Sequence, residues 1–572
     1  MHTSASKTDS TAAFDAWLDS FFESYYRRRP VNATFIGVHD YDHCLPDFSP
    51  HGAADTLAEM QSLLRAASQL PAEPLSGTQT IDKRLCEGYL RIQCWEYQGS
   101  NFFSGNPGLY VSEAIFGVLS LFLSDYDSLE NRVAAATERL NDVQVLLGQA
   151  SENIHSAPAA WIEQAITECT GSLEFLSGGA LQAAGGAATS AYSKSTDRAT
   201  AAFGNFKVHL EAELKNASLD ICTVGEDALS LHLRDAHCFE QDAAEIVRYA
   251  EAQLDEASAY LSEHAADFGE TQPGAVLQSL HSLHPTADQY YGRYQETWDD
   301  IHQLAVDEEL LTWPDFPLRY AAQPTWARNA APHLYFLYYR SPAAFNRPPV
   351  HDYLVTPIDN SMPAERQQEL LRSNNDSQIK LNHVVHHGGI GHHVQNWHAF
   401  RAASRVGQIA AVDCASRIAM NCGGTMAEGW ACYATDLIGE AGGLSDLERY
   451  AEKHSRVRMS ARAIVDLRLH QGRITFEQAV SFYKEQAGMS TDAAVSETTR
   501  NSMYPGCAVM YLTGCDAIHE LRETLNTLRG SRFSLRDFHD QFLSYGSIPV
   551  ALIARAMLDE EDQVSRQPSA AG

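Results

Sequence analysis

Apolar side chains recur every three or four residues along most of the chain. Phe14, Trp17, Leu18, Phe21, Phe22 and Tyr25 set the pattern, which puts them on one face of a helix. Comparable amphipathic runs lie near residues 53–70, 84–97, 131–147 and 159–176, and later near 241–263, 364–372, 445–469 and 476–487. Strand-like alternation is scarce. The pattern breaks twice. Small and hydroxyl-bearing residues dominate 177–198, where Gly178, Gly179, Gly185 and Gly186 predict a loop between helices. From 313 to 357, prolines at 314, 317, 324, 332, 342, 348, 349 and 357 interrupt any long helix. That segment, which includes Tyr335, Phe336, Leu337, Tyr338 and Tyr339, is where short strands are expected. No fixed-period repeat occurs. The expectation is a mainly α protein with an irregular or small β segment in its middle. A helical half spanning 1–312 precedes a half spanning 313–572 that carries the chemistry, the two forming one continuous fold.

Composition narrows the class. With 572 residues, 44% apolar and 10% aromatic, the chain has ample material for a core, so bulk disorder is excluded. Lys and Arg number 42 against 73 Asp and Glu, a net charge of −31 that repels phosphate backbones and anionic headgroups. Neither nucleic acid nor a membrane is expected as a partner. The eleven cysteines are scattered without a CxxC pair and read as reduced, mostly buried thiols. The first residues lack the charged and apolar regions of a secretion signal, and no stretch approaches 18 uninterrupted apolar residues, so a cytoplasmic protein is expected. No phosphate-binding GxxxxGK[ST] motif occurs.

The chemistry concentrates in one segment. Six of the 24 histidines fall between 383 and 398, at 383, 386, 387, 392, 393 and 398. They alternate with Leu381, Val384, Val385, Ile390, Val394 and Trp397, which marks a buried helical stretch. Burying several imidazoles without partners is costly, and a transition metal satisfies neutral imidazole well. A simple zinc helix carries ligands at i and i+4 with a glutamate after the first. Here position i+4 from His386 is Ile390, so that pattern fails. Gly388, Gly389 and Gly391 instead permit a bend or widened turn that returns His392 or His393 towards His386. In an undistorted helix His393 would lie roughly 10.5 Å along the axis from His386, at the limit of reach. A third, carboxylate ligand is supplied by Glu428, in the apolar run Met426-Ala427-Glu428-Gly429-Trp430. Pairing with Arg417 or Arg458 is its alternative role.

At these residues the chain resembles the bacterial domain-of-unknown-function family 885, a zincin-like helical family related to metallopeptidases. The family's His-Glu-x-x-Pro-Gly-His-His-x-Gln segment becomes His386-His387-Gly388-Gly389-Ile390-Gly391-His392-His393-Val394-Gln395, and its Glu-Gly-Trp-Ala-x-Tyr becomes Glu428-Gly429-Trp430-Ala431-Cys432-Tyr433. Further likeness lies in Asp466 to His470, in Glu497, Arg500 and Tyr504-Pro505-Gly506, in Tyr511 and Gly514, and in Phe538-His539-Asp540 and Gly546-Ser547-Ile548-Pro549. The 30–47 segment also fits, so the resemblance spans nearly the whole chain. Three departures stand out: His387 occupies the place of the family's glutamate, Ile390 that of a proline, and Cys507 that of a glutamine. In a zincin that glutamate moves the proton of the attacking water.

The leading expectation is a metal-dependent enzyme of hydrolase ancestry, acting on a short peptide, small amide or biosynthetic intermediate. His386, one of His392 and His393, and Glu428 hold a divalent ion, zinc foremost, with iron or copper as alternatives. His387 handles protons or becomes a further ligand. The resemblance adds Tyr504 and Tyr511 as oxyanion donors and Arg500 as a carboxylate binder, against ordinary roles in the core or a pair with Glu497. A second expectation is non-haem redox or lyase chemistry at the same residues; a third is a binding protein with a closed structural metal. Cys507 reads as a small thiol rather than a nucleophile.

Overall fold

The computed structural model describes residues 7–70, 75–100, 102–217, 223–334, 342–412 and 420–566. Helices form where the periodicity predicts them, and side-chain caps set the starts of several. Ser49 accepts the Gly52 N–H at the head of Pro50–Ser68, while Ser445 with Glu448, and Thr475 with Gln478, form reciprocal capping boxes on Asp446–His470 and Phe476–Ala487. The loop expected over 177–198 is much shorter. A wide π turn, Phe175–Gly179, runs into Ala180–Ala184, and Thr189 caps a new helix, Ser190–Glu213. Alanines between the glycines sustain helix there, and only the threonine cap marks the real boundary.

Two short strands, β1 (Leu318–Ala322) and β2 (His351–Val355), pair in one sheet. Both lie in the proline-rich segment, whereas the aromatic run 335–339 falls outside the described residues. The protein is therefore mainly α. Among the described residues, no helix is long and apolar enough to cross a membrane.

The chain divides into two compact units. One comprises Met1–Val224, Ala321–Pro357 and Val412–Ala419, the other Gly225–Tyr320, Ile358–Ala411 and Met420–Gly572. The reason is packing. Helix Ala243–His264 buries Ile246, Val247, Ala250, Leu254 and Leu261 in the same core as Val457, Ala461, Ile464 and Val465 of Asp446–His470. Helical periodicity shows which face is buried but not which partner buries it.

In the first unit Phe21 packs edge-on against Tyr89, with Phe14, Trp17 and Tyr25 buried around them. Arg139, fully buried, donates to the carbonyl of Cys44 at 2.9 Å, the carbonyl of Gly117 at 2.5 Å and Thr34 Oγ1 at 2.6 Å. One guanidinium thus ties down the 30–47 segment. In the second unit, helix Gly424–Glu440 crosses Met510–Arg529 where Gly429 meets Gly514; a Cβ on either glycine would collide with the other helix. This close crossing brings the chemistry-bearing faces of the two helices together.

Candidate metal centre

The histidine segment departs from a regular helix because its backbone widens. Ile379–Gly388 is wound as a π-helix, a turn follows at Gly389 to Gly391, and a fresh helix runs over His392–Ala399. The turn is tight: the Gly391 N–H donates back to the Val385 carbonyl at 2.9 Å, and a Cβ on Gly391 would collide with the His386 carbonyl oxygen. Two indoles hold it in place. Trp298 Nε1 donates to the Gly388 carbonyl at 3.0 Å and Trp430 Nε1 to the Ile390 carbonyl at 2.9 Å. Trp430 follows Glu428 by two residues, so one helix both supplies the carboxylate and pins the turn it faces.

The turn brings His392 back to His386. Their ring centroids lie 4.8 Å apart, and His387 sits 4.6 Å from His386 and 5.3 Å from His392. One ring nitrogen from each of the three falls within 4.8 Å of the others. Glu428 Oε2 lies 3.3 Å from His386 Nε2 and 3.8 Å from His392 Nε2. His387 Nδ1 is 2.8 Å from the Asn382 carbonyl, so Nδ1 carries the proton and Nε2 the lone pair. Burial pushes the His392 imidazole down to about 4, partly offset by Glu428, and burial with the neighbouring imidazoles pushes His387 well below its ordinary value. Burial would raise Glu428, but the hydrogen bond from His386 and the charges of the imidazoles outweigh it and hold the carboxyl below the usual range.

His393 takes a different path. Its Nε2 donates to the Phe316 carbonyl at 2.7 Å and its ring stacks on Phe316, so it faces away from the cluster. Successive residues of a helix point about 100° apart, which is why only one of the two adjacent histidines faces Glu428. The alternative partner Arg458 is not against Glu428; its charge interactions run to Arg462, Glu497, Tyr511 and Tyr483. Arg417 lies outside the described residues.

The downstream residues form the surroundings. Tyr511 is buried, its hydroxyl pushed up to about 12 by burial and by Glu428 against the pull of Arg500. The Arg462 guanidinium sits 4.8 Å over its ring. Glu497 pairs with Arg462 through two bonds of 2.8 and 2.9 Å, rather than with Arg500 alone, and the guanidiniums hold its carboxyl near 2 against burial. Arg500 and Arg458 remain exposed. Tyr504, half-buried, ends helix Thr491–Met503, and its carbonyl accepts the Cys507 N–H. Asp466 clamps this turn by accepting the N–H groups of Gly506 at 2.9 Å and Ala508 at 2.7 Å, while His470 bonds the Asn501 carbonyl at 2.9 Å. Burial raises the Asp466 carboxyl to about 7 despite both bonds. The last motifs are supports: Ser547 accepts from Gln395 Nε2 at 2.6 Å, and His539 Nε2 accepts the Tyr433 hydroxyl at 2.7 Å. The sequence pattern pointed neither to Trp298 nor to Arg462, and to Arg458 only as a partner for Glu428. The arginines carried a signal in their i, i+4 spacing, but Trp298 lies too far along the chain to be linked to the turn.

The donor set fits a divalent ion. One Glu428 oxygen lies 3.3 Å from His386 Nε2 and 3.8 Å from His392 Nε2, a mixed nitrogen and oxygen set of the kind that holds zinc.

Two solved structures share this fold. One is "a putative lipoprotein of unknown function" from Shewanella oneidensis, 20% identical, with a TM-score of 0.75 over 95% of this chain and 99% of that one. The other is a "putative lipoprotein" from Colwellia psychrerythraea, 18% identical, with a TM-score of 0.75 over 97% of this chain and 99% of that one. No curated protein matches the chain. The family described as "Bacterial protein of unknown function (DUF885)" matches residues 30–557, and the chain belongs to that family.

Proposed function

We propose that this protein is a metal-dependent hydrolase-like enzyme whose ion is held by His386 Nε2, His392 Nε2 and Glu428. The observation that carries the reading is the approach of one Glu428 oxygen to both His386 Nε2 and His392 Nε2, at 3.3 and 3.8 Å, which the π-helix and glycine turn bring about. The bound ion would supply Lewis-acid chemistry towards a carbonyl.

The chain's own residues have separable tasks. His387, with Nδ1 fixed on Asn382, presents an Nε2 lone pair that accepts a proton at the site, in the place of the glutamate of the family pattern. Burial and the neighbouring imidazoles keep the ring neutral, so that lone pair is unprotonated at neutral pH. Tyr511 stays protonated and donates to developing negative charge on the substrate oxygen. Arg458 and Arg500 are exposed beside a third guanidinium, Arg462, with Glu497 the carboxylate bonded among them. Such a cationic wall in a chain of net charge −31 suits a substrate carboxylate, as in a short peptide or an acylated amino acid.

Metal analysis of purified variants, with amine release from N-acylated dipeptides as the activity readout, tests this. His386→Ala and Glu428→Ala should lose the ion and the activity together. His387→Ala should keep the ion and lose activity. Loss of the ion in His387→Ala would make His387 a fourth ligand and the site a closed structural one, overturning the enzyme reading.

A further inference from the structure

Glu428 is the first of three chemistry-bearing residues spaced one turn apart on helix Gly424–Glu440; Cys432 and Asp436 follow. On the helix crossing it, Met510–Arg529, Cys515 and His519 show the same i, i+4 spacing. The tight crossing at Gly429 and Gly514 brings the two faces together. Asp436 Oδ2 lies 2.9 Å from His519 Nε2 and 3.4 Å from Cys515 Sγ, and the donor atoms of the three fall within 4.8 Å of one another. From a third helix, Asp446–His470, Glu452 shares a hydrogen bond with Asp436. The Asp436 and His519 side chains remain 23% and 25% exposed, so an ion from solvent has access.

We propose that Asp436, Cys515 and His519, with Glu452 as the fourth donor, form a second divalent-metal site selective for zinc. A thiolate, an imidazole and two carboxylates are a borderline-soft set that matches four-coordinate zinc and disfavours magnesium or calcium. At neutral pH without metal, the carboxylate pair retains a proton and the thiol is protonated; zinc displaces both protons to solvent and takes their place. Eight residues of helix separate Asp436 from Glu428, roughly 12 Å along the axis, well beyond the roughly 4 Å spacing of a two-metal catalytic centre. The second ion therefore acts by itself. It joins the helices that carry Glu428, Arg462 and Tyr511, so its task is to hold the first site's walls in register.

Cobalt titration of the full-length, chelator-stripped protein tests this. The first site has no sulfur donor, so thiolate-to-cobalt charge-transfer absorption in the near ultraviolet reports the second alone. The band should appear in the wild type and in Glu428→Ala, persist in Cys432→Ser, and vanish in Cys515→Ser and Asp436→Asn. Cys515→Ser should still bind one equivalent of cobalt at the first site, which also shows that it is folded. Absence of the band in the wild type and Glu428→Ala, or its persistence in Cys515→Ser, would overturn the proposal and leave an ordinary Asp–His pair beside a buried thiol, whatever the fate of the first site.

Discussion

Trp430 illustrates how much of the site is set by single hydrogen bonds. Its indole satisfies the buried Ile390 carbonyl in the turn. Trp430→Phe keeps the ring and removes the donor, leaving the Ile390 oxygen buried and unpaired. The expected cost is about 1–3 kcal/mol of stability, with zinc affinity reduced on the order of tenfold or more because the His392 turn loosens. Thermal melts with and without zinc, together with a zinc titration, measure both. In the other unit, Glu168 is a buried carboxyl raised to about 7, bonded by Ser112 and Gln164. The folded state holds this proton more tightly than the unfolded chain, whose value is 4.5. Its contribution is therefore complete below pH 4.5 and is lost as pH rises through about 7. Glu168→Gln keeps both hydrogen-bonding positions and removes the charge. It should stabilise the protein at pH 8 by on the order of 3 kcal/mol while changing little at pH 4, as read by denaturant unfolding at the two pH values.

Among the elements, the π-helix and glycine turn are decisive. Gly391→Ala changes no ligand, yet its methyl group would collide with the His386 carbonyl. The turn must open, and zinc content should fall to the level of Glu428→Ala while helix content stays unchanged; full zinc occupancy in this variant would contradict the role given to the turn. Much of this was legible in the sequence. The His386 and Glu428 pairing, the need for a widened turn at the glycines, and the helices bounded by Ser445 and Thr475 all follow from spacing and capping chemistry. The choice between His392 and His393 did not, because it depends on the phase at which the new helix starts after Gly391. The unit boundary was hidden because residues 225–312 carry the same helical period as their neighbours. The Arg462–Glu497 pair was hidden because it joins two helices 35 residues apart. The Cys515 and His519 face was visible as an i, i+4 pair but had no sequence neighbour to give it meaning.

At the scale of the whole molecule, buried neutral imidazoles govern the response to acid. His237, His383, His393, His398, His454 and His539 are each pushed down to about 4, burial being the main cause. Unfolding lets them take up protons from 6.5 downward, so their contribution is present above pH 6.5 and is lost as pH falls towards 4. They outnumber the raised carboxyls Glu168, Glu452 and Asp466, which act in the opposite sense over that window. The melting temperature should therefore drop steadily from pH 7 to pH 4.5 even with the metal removed; a flat profile would show that these rings protonate in the folded state. The central claim concerns one point in space, and crystals grown with zinc test it most directly. An anomalous difference map should show a peak about 2.0–2.2 Å from His386 Nε2, His392 Nε2 and a Glu428 oxygen. Zinc peaks elsewhere on the molecule, with none between those three side chains, would contradict the account.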